Sequence, residues 1–195
     1  MDILPVTLDG MHVRLEPLSL AHVPELCKVG LDDELWKITM TLIRNKEEMK
    51  QYVETALRSQ ELGTAIPFAT IDKKSGRVAG STRFVNIDKN NRRVEIGWTW
   101  LGKEFQRTHV NTEAKYLMLK HAFEVWGCFR VEFITDVINE KSRNALKRIG
   151  ATEEGVLRRH QITATGRVCD SIYYSILDHE WPGVKRMLAE KIGIL

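Results

Sequence analysis

Apolar and polar positions along the chain change period several times, and each change marks an element. From Arg93 to Leu101 the run Arg93-Val-Glu-Ile-Gly-Trp-Thr-Trp-Leu101 is rich in β-branched and aromatic residues and predicts a strand. A polar turn at 102–108 follows. Ala114, Leu117, Met118, His121, Ala122 and Val125 then repeat with the helical period, which predicts a helix with these residues along its buried face. Trp126-Gly127 punctuates its end, with the glycine past the last turn. A second strand over 130–137 leads to Asn139-Glu-Lys-Ser-Arg143, which opens a short helix that stops at Gly150. A strand-loop-helix-strand unit whose loop feeds a helix N-terminus suits a phosphate-bearing ligand. The unpaired N–H groups and the helix dipole both favour an anion there.

Shorter patterns flank this unit. Val6–Leu8 and Met11–Pro17 predict a hairpin around Asp9-Gly10. Ser19 caps a helix to Val29 closed by Gly30, with Pro24 as an interruption. Asn45 and Glu48 form a capping-box pattern for a helix buried along Met49, Tyr52, Val53, Ala56 and Leu57. Phe68–Asp72 with Val78–Asp88, and Glu154–Thr163 with Arg167–Leu177, predict two more hairpins, and a last helix runs from Pro182. The fold class expected is α+β, or mixed α/β, over one domain at 1–195. Its sheet is mostly antiparallel, with six to seven strands flanked by four to five helices. The one parallel pair joins the two strands linked by the central helix, because parallel neighbours need a crossover.

Composition narrows the function classes. With 195 residues, 43% hydrophobic and 28% charged, the chain can bury a sizeable core. A net charge of +3 without a basic stripe argues against nucleic acid as a partner, while still helping an anionic ligand find its site. Cys27, Cys128 and Cys169 are odd in number and widely spaced, so they predict a reducing compartment. The opening Met1–Thr7 segment lacks the pattern of a signal peptide, and no apolar run reaches membrane-spanning length. The expected location is cytoplasmic. The six histidines show no metal-ligand spacing, so no metal is expected.

Several local stretches together resemble the GNAT superfamily of acetyl-CoA-dependent N-acetyltransferases, in its ribosomal-protein N-terminal branch. They are Val13-Arg-Leu-Glu-Pro-Leu18, Val94-Glu-Ile-Gly97, Asn111-Thr-Glu-Ala114, His121-Ala-Phe-Glu124, Asn139-Glu-Lys-Ser-Arg143, Arg148-Ile-Gly-Ala-Thr152 and Glu154-Gly-Val-Leu-Arg158. The resemblance implies a GNAT-like fold whose central parallel pair splays, and acetyl-CoA or CoA as the cofactor. It places the pantetheine arm on the main chain of Trp98, Thr99, Trp100 and Leu101. The pyrophosphate falls on Gln106, Arg107, Thr108, His109, Val110, Asn111 and Thr112, with further contacts from Asn139, Ser142 and Arg143. His109 and Asn111 stand where the family has glycine, or glycine or alanine. Asparagine and histidine are among the residues that best tolerate the unusual backbone angles expected there.

The resemblance also implies the chemistry. An amine acceptor must lose a proton, and the leaving thiolate must gain one. Glu95, on the face shared by alternation with Gly97 and Thr99, is the candidate base; it reads equally as a structural carboxylate paired with an arginine. Leu146 stands where many relatives have a catalytic tyrosine, so Ser142 is the candidate acid; it reads equally as a hydroxyl at a helix start. The acceptor is a primary amine on a protein N-terminus or a small molecule, transfer is direct, and association into a homodimer stays open. The rival is a CoA-binding regulatory or sensor protein that keeps the fold without turnover.

Overall fold

The computed structural model describes Met1 and residues 3–195; Asp2, within the segment read for a leader, lies outside them. Eight strands form one sheet: β1 Leu8–Asp9, β2 Val13–Pro17, β3 Ala65–Asp72, β4 Arg77–Asp88, β5 Arg93–Leu101, β6 Arg130–Asp136, β7 Thr152–Ile162 and β8 Val168–Leu177. Their order is β1-β2-β3-β4-β5-β6-β8-β7. Every neighbouring pair is antiparallel except β5 with β6. The count exceeds the expected six to seven because β1 contributes a two-residue edge. It is that short because the turn beyond it is held from elsewhere. Met11 and His12 both donate their main-chain N–H to the carboxylate of Glu113, each at 2.7 Å.

Five helices flank the sheet: α1 Val23–Gly30, α2 Lys46–Glu61, α3 His109–Lys120, α4 Glu140–Arg148 and α5 Trp181–Ile192. A 3-10 turn at Leu20–His22 precedes α1, so Pro24 sits in the first turn of the helix, where its missing N–H costs nothing. Asn45 caps α2 by accepting from the Glu48 N–H at 2.9 Å, and Glu48 in return accepts from the Arg44 N–H. Alternation along β4 assigns the two faces. Arg83 turns towards Tyr52 of α2, whereas Thr82 and Phe84 turn towards Met118 and His121 at α3.

The buried face of α3 is rotated from the one expected. Ala114, Met118 and Ala122 are buried as predicted, but Val125 is 68% exposed and Leu117 half-buried. Tyr116, Leu119 and Phe123 are buried instead, because α3 is packed on two sides. The sheet lies under one side, and Trp181 of α5 stacks on Phe123 on the other. The helix then widens into a π turn over His121–Val125, where the Trp126 N–H donates to the His121 carbonyl at 3.0 Å.

Candidate active site

The parallel pairing of β5 with β6 covers only Arg93, Val94 and Glu95 against Arg130, Val131 and Glu132. Beyond Glu95 the strands part. β5 continues to Leu101 paired with β4 alone, and β6 continues to Asp136 paired with β8 alone. The facing main-chain edges are therefore open along Gly97–Leu101 and Phe133–Asp136, a slot that an extended polar chain can fill by pairing with backbone.

A bulge distorts β5 at the mouth of this slot. The register with β4 jumps between Ser81–Trp100 and Arg83–Gly97, and Trp98 has φ of +53°. The extra residue resets the alternation, so Thr99 does not share the face of Glu95 as expected. Its hydroxyl lies on the α3 side, 2.6 Å from the Lys115 ammonium and 2.7 Å from the Thr82 hydroxyl. Trp98 is 46% exposed on the α2 side, and Trp100 is buried, donating its indole N–H to the Tyr52 hydroxyl at 3.1 Å. Leu101 is buried, and its carbonyl accepts from the Gln106 side chain at 2.9 Å.

Opposite the bulge, the backbones crowd. A Cβ at Gly80 would meet the Trp100 carbonyl oxygen at 2.1 Å and the Leu101 Cα at 2.9 Å. Only glycine lets β4 approach here.

The loop before α3 has one left-handed residue, and it is Arg107, with φ of +59°. His109 and Asn111, expected to carry unusual backbone angles, lie in the first turn of α3 instead. The left-handed bend therefore falls two residues before His109 and four before Asn111, the glycine positions of the motif. Thr108 caps the helix, its hydroxyl accepting from the Val110 N–H at 3.2 Å. Val110 and Thr112 are buried and offer a ligand little beyond main chain. The His109 ring lies 4.5 Å from that of His12, and its Nε2 stands 3.6 Å from an Asp72 carboxylate oxygen; among the described residues neither that buried nitrogen nor the buried Asn111 Oδ1 has a hydrogen bond.

Asn139 caps α4, accepting from the Ser142 N–H at 3.1 Å. Ser142 itself is half-buried in the first turn. Arg143 turns back, donating to the Val137 carbonyl at 3.1 Å. Leu146, in the tyrosine position of many relatives, is buried.

Glu95 is 7% exposed, and burial lifts its carboxyl from the ordinary 4.5 to about 7. Glu132 adds to the rise, while the Asn86 amide, donating at 2.7 Å, opposes it. Asn86 reaches Glu95 from its own left-handed bulge, with φ of +49°. No arginine pairs with Glu95 among the described residues.

Two cations escaped the sequence reading. Lys115 is buried under the bulge, and burial alone lowers its ammonium to about 7. The signal was its spacing: Met118, Leu119 and Ala122 stand three, four and seven residues on, so Lys115 lies on an apolar stripe. The other is Arg83, buried at 3% exposure on β4. Its side chain reads as the polar face of a hairpin strand, and only the cover from α2 buries it. His160, by contrast, sits on the exposed strand β7, with its ring nitrogen 2.9 Å from the Ser171 hydroxyl.

The parallel pair parts towards a capped helix start, with the buried Glu95 carboxylate beside the split, the splayed arrangement that the resemblance to acetyltransferases implies. Residues 12–152 match the family model described as "Acetyltransferase (GNAT) domain". The chain belongs to the GNAT family of acetyltransferases.

Three relatives give the scale of the likeness. The "Putative ribosomal N-acetyltransferase YdaF" of Bacillus subtilis (strain 168) is 39% identical over 110 residues, 56% of this chain and 59% of that protein. The match thus spans less than two thirds of that relative's length. A GCN5-related N-acetyltransferase from Brucella melitensis superposes with a TM-score of 0.90 at 31% identity, covering 97% of this chain and 86% of the other. Mycobacterium smegmatis RimJ, solved with CoA-disulfide, superposes with a TM-score of 0.82 at 20% identity, covering 97% and 96%, and shows the fold alone. No helix of the described residues is long and apolar enough to cross a membrane.

Proposed function

We propose that residues 1–195 act as one acetyl-CoA-dependent N-acetyltransferase domain in the cytoplasm, moving an acetyl group directly to a primary amine on a protein N-terminus or a small molecule. The observation that carries this reading is a buried carboxylate, Glu95, poised near pH 7 at the last paired residue before the strands part. Acetyl-CoA supplies the thioester carbonyl that the amine attacks, with the CoA sulfur as leaving group. The open edge of β5 at Trp98, Thr99, Trp100 and Leu101 offers main-chain groups to the pantetheine amides. The first N–H groups of α3, with Arg107 beside them, favour the pyrophosphate.

Glu95 accepts the proton that the ammonium of the acceptor must shed. An α-amino group titrates near 8, so at neutral pH a base close to 7 is about half ionised and takes the ammonium proton against a gap of only about one pKa unit, roughly 1.4 kcal/mol. Ser142, at the start of α4, holds a hydroxyl proton for the departing sulfur. The rival reading, a CoA-binding protein without turnover, rests on His109, on Asn111 and on Leu146 in place of the tyrosine. The ordinary helical backbone of His109 and Asn111 weakens the first two motives, and Leu146 leaves the third standing.

Calorimetric titration with acetyl-CoA and CoA, followed by thiol release with added amines, tests the proposal. Micromolar binding, roughly −8 kcal/mol, with amine-dependent thiol release is expected. Binding without release under any amine would favour the regulatory reading, and no binding would refute both.

A further inference from the structure

Arg83 is the least explained charge in the molecule. It is 3% exposed; among the described residues its buried Nε has no hydrogen-bond partner, and its one hydrogen bond donates to the Tyr52 carbonyl at a long 3.4 Å. Among the described residues no carboxylate lies within ion-pair distance of it, and it does not figure among the charges acting on Glu95. Burying a guanidinium with neither an anion nor a full set of acceptors is costly.

Aromatic rings offset part of that cost. The guanidinium carbon lies 4.4 Å from the Tyr52 ring and 4.5 Å from the Trp98 ring. The two ring centroids are 6.2 Å apart. These three distances set the rings at roughly a right angle about the guanidinium, so they form a corner rather than a sandwich, and neither ring accepts a full hydrogen bond from its N–H groups. The cross-strand partner of Arg83 is Gly97, which brings no side chain of its own against it. A Cβ there would come within 2.9 Å of the Glu95 carboxylate, so Glu95 and Arg83 flank one patch, over Gly97, on one face of the sheet. Glu95 precedes Gly97 by two residues, roughly 7 Å along the strand.

We infer that Arg83 receives a carboxylate of the acceptor, so that the substrate is an amine bearing a carboxylate near its amino group, as in a free amino acid or an acidic N-terminal peptide. This deepens the acetyltransferase reading and rests on it. The amino group lies towards Glu95, and the carboxylate meets the guanidinium in the plane that its forked N–H donors prefer. The same buried cation repels a polyamine, which would bring a second positive charge into the patch.

The test compares initial rates for glutamate against its diamide, for tetrapeptides with Asp or Asn at the second position, and for spermidine, all with wild-type protein and saturating acetyl-CoA. A carboxylate preference of about 10- to 100-fold in kcat/KM is expected, the range of a hydrogen bond to a charged group. Preference within the amino acid pair or within the peptide pair identifies the source. In Arg83→Met the preference should collapse through a rise in the KM of the carboxylated acceptor, with the dissociation constant of acetyl-CoA held. Equal or better use of the neutral partners or of spermidine overturns the assignment and leaves the acetyltransferase reading standing. Loss of acetyl-CoA binding by wild-type protein would instead overturn the reading beneath it. Should Arg83→Met fail to fold, the wild-type comparison decides by itself.

Discussion

Replacing Glu95 with glutamine keeps the size of the side chain and an oxygen for the Asn86 amide, while removing its charge. Burial moves the carboxyl from 4.5 to about 7, and at roughly 1.4 kcal/mol per pH unit its ionisation costs the fold about 3 kcal/mol. Between those two values the unfolded chain has released the proton and the native chain still holds it. Wild-type stability therefore falls as pH rises through that window. Glu95→Gln should gain little near the lower limit and about 3 kcal/mol above the upper one. Activity should move the opposite way. Loss of a general base should lower kcat/KM by about 100-fold at neutral pH, with the deficit shrinking as the amine begins to deprotonate itself near pH 8. Urea melts at acidic and alkaline pH, paired with a pH–rate profile, read both effects. A variant that melts with wild type at alkaline pH refutes the burial argument. A wild-type profile with no ionisation near 7 refutes the role as base.

Three further outcomes are expected. Burial holds Lys115 near 7 while the unfolded chain keeps its proton up to the ordinary 10.5, so wild-type stability falls as pH drops through that range. Lys115→Met should therefore raise the melting temperature at neutral pH, with the gain fading towards pH 10.5; calorimetry that finds no pH-dependent gain argues against a buried amine. Asn139→Ala should cost about 1 kcal/mol in urea melts by removing the α4 cap, and Asn139→Asp should restore it. If both weaken CoA binding, the amide touches the cofactor; unchanged affinity in both removes that contact. Gly80→Ala should cost about 1–3 kcal/mol, because backbone atoms of β5 stand where its Cβ must go. A wild-type melting temperature would show that the bulge can yield.

Periodicity in this sequence determined most elements and their order. The strand from Arg93, the crossover helix and the strand from Arg130 follow from local pattern, and the need for a crossover makes that pair parallel. Turn and cap chemistry placed Asn45 and the start of α4 for the same reason: each is settled by a few adjacent residues. Tertiary structure decided what depends on two distant segments at once. The bulge at Trp98 exists only as a register between β4 and β5, and it turns Thr99 to the face of Lys115. The left-handed residue before α3 is Arg107 rather than His109 or Asn111, because those two already lie in the first turn of the helix. Burial lifts the Glu95 carboxyl to about 7, and Arg83 is buried because Tyr52 of α2 and Trp98 of the bulge cover it. Local pattern fixes which segments become strands and helices, whereas burial, and with it the pKa of a carboxylate, belongs to the assembled layers.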